Sequence, residues 1–389
     1  MVEIWVPYGP VEVSFDIKQE NLSQILEPQP AKLPQEDYEK RLDAVSADSL
    51  LVLSSSAGVQ KTLETLLARN KAITRLYYSK NSSLLARKKA QEFGIQAEPF
   101  NSESLEDAGI VDGASTRVPA QLKSAPKLAL ITSIHYDPLF GISSAASDLI
   151  SLIPELKSEA FKRSVDELPC TPRISNASWY ATRVLQTCPR VDAIEVIERT
   201  SSGIINLFYG DPESVHSQAS EQLVSGFSVN YSSRAERVIF GCGGQDSDRT
   251  LNEALSRSFF NIVTNVSIQD SGGKVCMLAE CSQGLGSEAL MRYATGRFTP
   301  GAKLDNVQYF DGLEVLLSFY RIQGTLDLHL LSTLPNYYVQ KFDFKPVSAA
   351  RDSPSSIAQL GSRAKILVVP DGTSTSFAKR EINESAVAS

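Results

Sequence analysis

The sequence predicts an α/β protein of two domains, each with a mostly parallel sheet flanked by helices, and a ligand cleft between them. Three observations carry this. The chain has 389 residues, which suits two domains at roughly 100–200 residues each. Apolar runs of strand length recur, each followed by a small-residue loop and then by helical apolar spacing, the signature of strand–loop–helix units on a parallel sheet. The series also restarts near Arg234 after a hairpin and a helix. That puts the boundary at residues 232–234, giving an N-terminal domain 1–233, a C-terminal domain 234–376 and a polar tail 377–389.

Taken in order, residues 2–17 read as two strands around Tyr8-Gly9-Pro10, a hairpin or sharp corner. Residues 18–48 carry Pro28, Pro30 and Pro34 and then an acidic, helix-prone stretch, a surface connection. The run 50–53 enters the loop 54–58, and a helix follows with Leu63, Leu66 and Leu67 on one face. A second unit has the strand I-T-R-L-Y-Y-S and a helix over 83–93 closed by Gly94. The third strand is K-L-A-L-I-T-S, 127–133. Residues 193–210 read as an antiparallel hairpin turning at 201–203, and a helix from about Pro212 carries His216. Beyond Arg234 come the strand R-V-I-F-G-C, the loop G-G-Q-D-S-D and a helix over 249–260. Gly272-Gly273 then turns into K-V-C-M-L-A-E-C, the loop S-Q-G-L-G leads to a helix near Ser287, and A-K-I-L-V-V-P-D-G is the last strand.

Composition narrows the function. The net charge is -7, which argues against nucleic acid as a partner, since that needs a basic patch. A small anionic ligand remains compatible, because one Arg or one helix N-terminus can hold a carboxylate. No apolar stretch approaches the ~20 residues of a membrane span, so no membrane partner is expected. The five cysteines form no C-x-x-C pair, and V-E-I-W-V-P-Y-G after Met1 reads as a strand, not a secretory signal. A soluble cytoplasmic protein with reduced thiols is therefore expected. There are three histidines, so any His-based site is tightly limited.

Ligands on parallel sheets sit beyond the carboxyl ends of the strands, which makes the loops there the candidate sites. Ser54, Ser55, Ser56 and Gly58 can offer hydroxyl and N–H donors to an anion; the other reading is that a serine caps the helix. Gly243, Gly244, Gly284 and Gly286 either admit a ligand to the backbone or make tight strand–helix turns. Neither glycine loop matches the phosphate-loop pattern, which needs G-K-[ST]. Cys242 is a candidate nucleophile or a buried thiol, and Asp371 shapes a turn. The loops 54–58, 137–144 and 241–245 are expected to converge on one pocket.

Several of these segments resemble the nickel-pincer lactate racemase family. I-W-V-P-Y-G is similar to that family's opening strand. F-G-I-S-S-A-A-S-D-L (140–149), with Gly141 and Ser143, stands where the family has A-G-F-S-G-G-R-K-S. G-C-G-G-Q-D-S-D-R-T-L-N-E-A (241–254) is similar to N-G-G-Y-P-L-D-Q-N-I-Y-Q-A, and residues 270–288 to E-G-G-T-I-I-M-V-A-G-A-R-D-G-H-G-G-E. The ending A-K-I-L-V-V-P-D-G is similar to A-K-V-T-V-I-P-D-G. The blocks keep the family's order along nearly the whole chain.

The resemblance implies a two-domain fold and, in the family, racemisation by hydride transfer. The family uses a nickel-pincer nucleotide tethered to a lysine, a nickel-ligating histidine, two acid–base histidines and an arginine for the substrate carboxylate. This chain departs at most of those positions. The anchoring lysine falls on Ser147, with Ala146 before it, and no lysine lies between Lys127 and Lys157. The Asp-His-Thr-Arg-Pro loop is replaced by residues 56–60, the next loop, 79–83, has no histidine, and the Gln and Lys of the C-terminal helix fall on Glu253 and Ser256. No histidine lies between Asp148 and Cys188 to ligate nickel. Asp137 aligns with a catalytic histidine and His135 stands two residues away; His135 either takes that role or packs at a strand end.

Two functional readings follow. In the first, the protein is lactate-racemase-like without nickel-pincer activity, expects no cofactor and no metal, and binds a small metabolite in the cleft as a sensor or partner subunit. In the second, it is an enzyme: an isomerase, a racemase or epimerase of lactate or another 2-hydroxy acid with a relocated site, or a catalyst of another reaction in the cleft; the nickel-pincer nucleotide is expected only under this reading.

Overall fold

The computed structural model describes residues 1–170, 174–199, 203–231, 235–244, 247–266, 273–301, 308–347 and 364–378. Residues 201–202, 232–234, 245 and 272, and the tail from 379, on which expectations above rest, lie outside them. The chain divides into two compact units, one of Pro30–Leu223 with Pro300–Ser318, the other of Met1–Gln29, Val224–Thr299 and Phe319–Ser389.

The first unit is built on a six-stranded sheet in the order Gly203–Gly210, Val191–Arg199, Leu128–Ser133, Ser49–Val52, Arg75–Tyr78, Gln96–Pro99. Every neighbouring pair is parallel except the first, the antiparallel hairpin expected from the sequence. Leu50, Val52, Ala129, Ile131, Ile194 and Val196 pack against Val59, Leu63, Leu66 and Leu67 of the Ala57–Arg69 helix. Leu51 and Leu130, which alternate with them, are equally buried. The central strands are thus covered on both faces, which is why they read as continuous apolar runs. The Ser83–Phe93 helix ends at Gly94 in the left-handed conformation, φ 67°, as its sequence predicts. An antiparallel hairpin, Leu105–Val111 with Ala114–Pro119, was not read from the sequence.

The second unit carries a six-stranded sheet that is parallel throughout, in the order Lys345–Pro346, Asp327–Leu331, Lys274–Leu278, Arg237–Gly241, Ile366–Val369, Leu22–Ile25. The hairpin Val2–Tyr8/Val11–Ile17 lays Ile4, Val6, Phe15 and Ile17 on Ile239, Cys276, Leu278, Ile366 and Val368. Phe240, Phe259, Phe319, Phe342 and Phe344 form an aromatic cluster in the same unit.

The units are interleaved in sequence, where the sequence reading drew a single cut near residue 233. The strand Leu22–Ile25 hydrogen-bonds to Ile366–Val369, and Ser228–Asn230 to Ser376–Ala378. Phe377 and Ala378, assigned to the tail, therefore belong to a strand. Short edge strands satisfy their backbone groups through partners far along the chain, and four residues such as L-S-Q-I announce no partner. Among the described residues no helix is long and apolar enough to cross a membrane.

Candidate functional site

The loop after Ser49–Val52 is closed by local hydrogen bonds. Ser56 is the N-cap of the Ala57–Arg69 helix, its Oγ accepting from the N–H of Val59 at 3.3 Å. The N–H of Gly58 donates to Glu198 Oε2 at 2.6 Å. A Cβ on Gly58 would stand 2.7 Å from that oxygen and 3.1 Å from Val196 Cγ1, so a side chain there would push the carboxylate off its present place. Ser54 Oγ lies 3.2 Å from Ser133 Oγ and accepts from the N–H of Ser56 at 3.3 Å. The expected anion donors at Ser56 and Gly58 are thus engaged within the protein, and the capping reading holds. Ser55 is half-buried.

The neighbouring loop follows Leu128–Ser133. His135 Nδ1 lies 3.0 Å from Ser143 Oγ and 3.3 Å from the Ser133 carbonyl oxygen. The backbone joins the same pair: His135 N–H donates to Ser143 Oγ at 2.9 Å and Ser143 N–H to the His135 carbonyl at 2.8 Å. Ser54, Ser133, His135 and Ser143 are therefore linked in turn, with the Ser133 carbonyl making the contact to His135. Asp137 Oδ1 accepts from the N–H groups of Leu139 and Phe140 at 2.8 and 3.0 Å, an Asx turn, and Gly141 (φ 76°) pairs back on it.

Burial raises the Asp137 carboxyl above the usual aspartate range; Glu314 adds to this, while the Phe140 and Leu139 N–H groups and Lys157 pull the other way. A folded pKa above the unfolded value means that the folded state holds the proton more tightly. The stabilisation is present below the usual value of about 3.9 and is lost as pH rises through the raised one. Asp137→Asn keeps the Oδ1 acceptor and removes the titration. Urea unfolding of both proteins across pH should show wild type losing stability relative to the variant as pH rises toward neutrality; a constant difference would show that Asp137 titrates normally.

Beside this loop is a buried polar cluster that sequence reasoning missed. Glu195, 0% exposed, accepts from the N–H of Ala145 through Oε1 at 2.8 Å, and its Oε2 lies 3.4 Å from His216 Nδ1. His216 Nε2 is 3.5 Å from Ser178 Oγ and 3.4 Å from Ser220 Oγ. The signal available was Glu195 itself, an ionisable residue within the apolar strand A-I-E-V-I. Ala145 opens the Ala145–Ser151 helix, whose first turn is a capping box: Ser144 Oγ accepts from the N–H of Ser147 at 3.0 Å, and Ser147 Oγ from the N–H of Ser144 at 2.7 Å.

In the second unit, Asp371 Oδ1 accepts from the N–H and Oγ1–H of Thr373 at 3.0 and 2.6 Å, and Oδ2 from the hydroxyl of Ser374. It shapes the turn after Ile366–Val369, as expected. Gly243, φ 74°, lies against this turn: a Cβ there would be 2.5 Å from Thr373 Oγ1 and 2.8 Å from Asp371 Oδ1. Gly244, Gly284 and Gly286 share the left-handed φ range, which glycine adopts without a Cβ penalty. Cys242 is fully buried, and burial, reinforced by Asp248, pushes its thiol well above the ordinary value. A nucleophile needs the opposite. Among the described residues no group of three or more His, Cys, Asp or Glu side chains is arranged to hold a metal ion.

The architecture is similar to that of the lactate racemase apoprotein from Thermoanaerobacterium thermosaccharolyticum, with a TM-score of 0.71 at 16% identity over 97% of this chain and 100% of that one. A protein of Thermotoga maritima gives a TM-score of 0.65 at 12% identity, covering 91% of this chain and 100% of its own. These likenesses establish a lactate-racemase-like fold. No family model and no curated protein matches the sequence.

Proposed function

We propose that this chain is a divergent lactate-racemase-like protein that does not run the nickel-pincer reaction and instead binds a small metabolite. The observation that carries the reading is Ser147. It stands where the family's anchoring lysine falls, it is 0% exposed, and both its N–H and its hydroxyl are bound to Ser144 in the capping box. That first turn is closed on itself and presents no amine. The next lysine along the chain, Lys157, is unsuited to substitute. Burial disfavours its charge, but Glu314, Tyr309 and Asp311 outweigh burial and hold the ammonium protonated well above its ordinary value; a lysine that forms a covalent bond to a cofactor needs a neutral amine. The residues here therefore do not fit the pincer nucleotide. We place the protein in the cytoplasm, where thiols stay reduced; the five cysteines are all buried and free.

One observation favours the competing reading, a working 2-hydroxy-acid racemase or epimerase: His135 stands half-buried at a strand end, hydrogen-bonded to Ser143, in the position of an acid–base group. The experiment that separates the two uses protein purified from its native host. Intact-mass measurement should return the mass of the unmodified chain, and incubation with L-lactate should yield no D-lactate by chiral chromatography. A nucleotide-sized adduct, or interconversion above the rate without protein, would reverse the assignment.

A further inference from the structure

We propose that a cavity beside the Ala57–Arg69 helix, within the unit of Pro30–Leu223, is a binding site for a small organic carboxylate with an apolar body. The inference deepens the small-metabolite reading and rests on it. The cavity holds about 390 Å³, toward the lower end of the ~300–1,000 Å³ typical of small-molecule sites.

Its walls divide by chemistry. Leu33, Ile204 and the ring of Tyr38 supply apolar surface. The wall is fixed in place, since the N–H of Leu33 donates to the Ile205 carbonyl at 2.8 Å and Tyr38 OH to Thr62 Oγ1 at 3.3 Å. Lys32 and Lys61 supply the charge. Neither forms an ion pair among the described residues; the Lys61 ammonium instead lies 5.9 Å from the centroid of the Tyr38 ring.

The helix start adds a donor. Gly58 N–H and Val59 N–H are taken by Glu198 and Ser56, but Ala57, the first helical residue, lines the cavity with its N–H unbonded among the described residues. The lining residues carry two ammonium groups and no carboxylate, beside the positive end of a helix dipole. A small carboxylate meets that positive charge, and its apolar part covers Leu33, Ile204 and the tyrosine ring. Inorganic phosphate matches the charge but leaves the apolar wall in water.

The test is calorimetric titration with benzoate, with benzamide as its neutral counterpart and inorganic phosphate as the bare anion. The proteins are wild type, Lys61→Met and Lys32→Met; both lysines are exposed, so the variants should fold, and circular dichroism confirms this. Wild type should bind benzoate saturably, and Lys61→Met should weaken it at least about tenfold, the weight of one charge-assisted contact. Benzamide should bind more weakly than benzoate. Failure of benzoate to bind, binding unchanged in both variants, or phosphate binding as tightly as benzoate would overturn the site. Lactate interconversion on the same preparation separates the two claims. Racemisation with intact benzoate binding removes the functional reading and leaves the site, and neither racemisation nor benzoate binding removes the site alone.

Discussion

Glu314→Gln is expected to cost about 3–5 kcal/mol of folding stability, the cost of leaving a buried charge without its partner. Glu314 Oε1 lies 3.1 Å from the Lys157 ammonium, with the side chains 8% and 13% exposed. Its Oε2 accepts from the hydroxyl of Tyr309 at 3.0 Å, and the Tyr309 ring packs on Phe161 at 5.2 Å between centroids. The glutamine variant keeps the shape and an acceptor for Tyr309 but removes the buried carboxylate, so that the largely buried ammonium keeps only the longer, exposed contact to Asp311. Asp311 compensates only in part, because at 3.4 Å its carboxylate is 66% exposed and screened by water. The double variant Lys157→Met/Glu314→Leu should recover most of the loss, since a buried ion pair replaced by apolar groups of similar volume is often neutral or better. Chemical denaturation of the three proteins checks this. A single variant within about 1 kcal/mol of wild type would show that water reaches Lys157 and that the pair is a surface contact in energetic terms.

Phe259→Ala in the other unit should cost a similar amount, about 3–5 kcal/mol, from lost transfer energy and the cavity left behind. Phe259 is fully buried, with ring centroids of Phe260, Phe319, Phe344 and Phe240 at 5.5, 5.7, 5.9 and 6.5 Å. It closes the π-helical turn Leu255–Phe259 between α-helical segments, a geometry that a uniform α-helix over 249–260 did not anticipate. The extra residue in the turn rotates the ring's position on the helix. Phe259→Leu, which keeps part of the volume, should cost clearly less. Equal losses for alanine and leucine would mean that ring–ring geometry, and not filled volume, holds this core.

The elements that the sequence determined by itself are those whose causes lie within a few residues. Gly94 ends its helix because a left-handed residue there needs no Cβ, and Ser56 caps the Ala57–Arg69 helix through a bond three residues away. The buried parallel strands announce themselves by apolar runs such as L-A-L-I. The turn at Asp371 was legible for the same reason. The candidate site was legible only as a set of loops at strand ends; what those loops do was decided by partners distant in the chain. Glu198 arrives 140 residues after Gly58 to occupy its N–H, and Glu195 meets Ala145 across 50 residues. Ser147 lay in a block whose resemblance marked it as a lost anchor, yet only the folded backbone turns its hydroxyl onto Ser144. Leu22–Ile25 joins the sheet of the second unit through hydrogen bonds to residues 366–368, and Lys157 finds Glu314 on Pro300–Ser318, a segment that belongs to the first unit although Val224–Thr299 of the second precedes it. Capping, turns and apolar periodicity are local and additive, so a sequence states them directly. Strand-edge pairing and the satisfaction of buried polar groups depend on which remote backbone and side-chain groups arrive within about 3 Å of each other, and only the packed tertiary structure makes that choice.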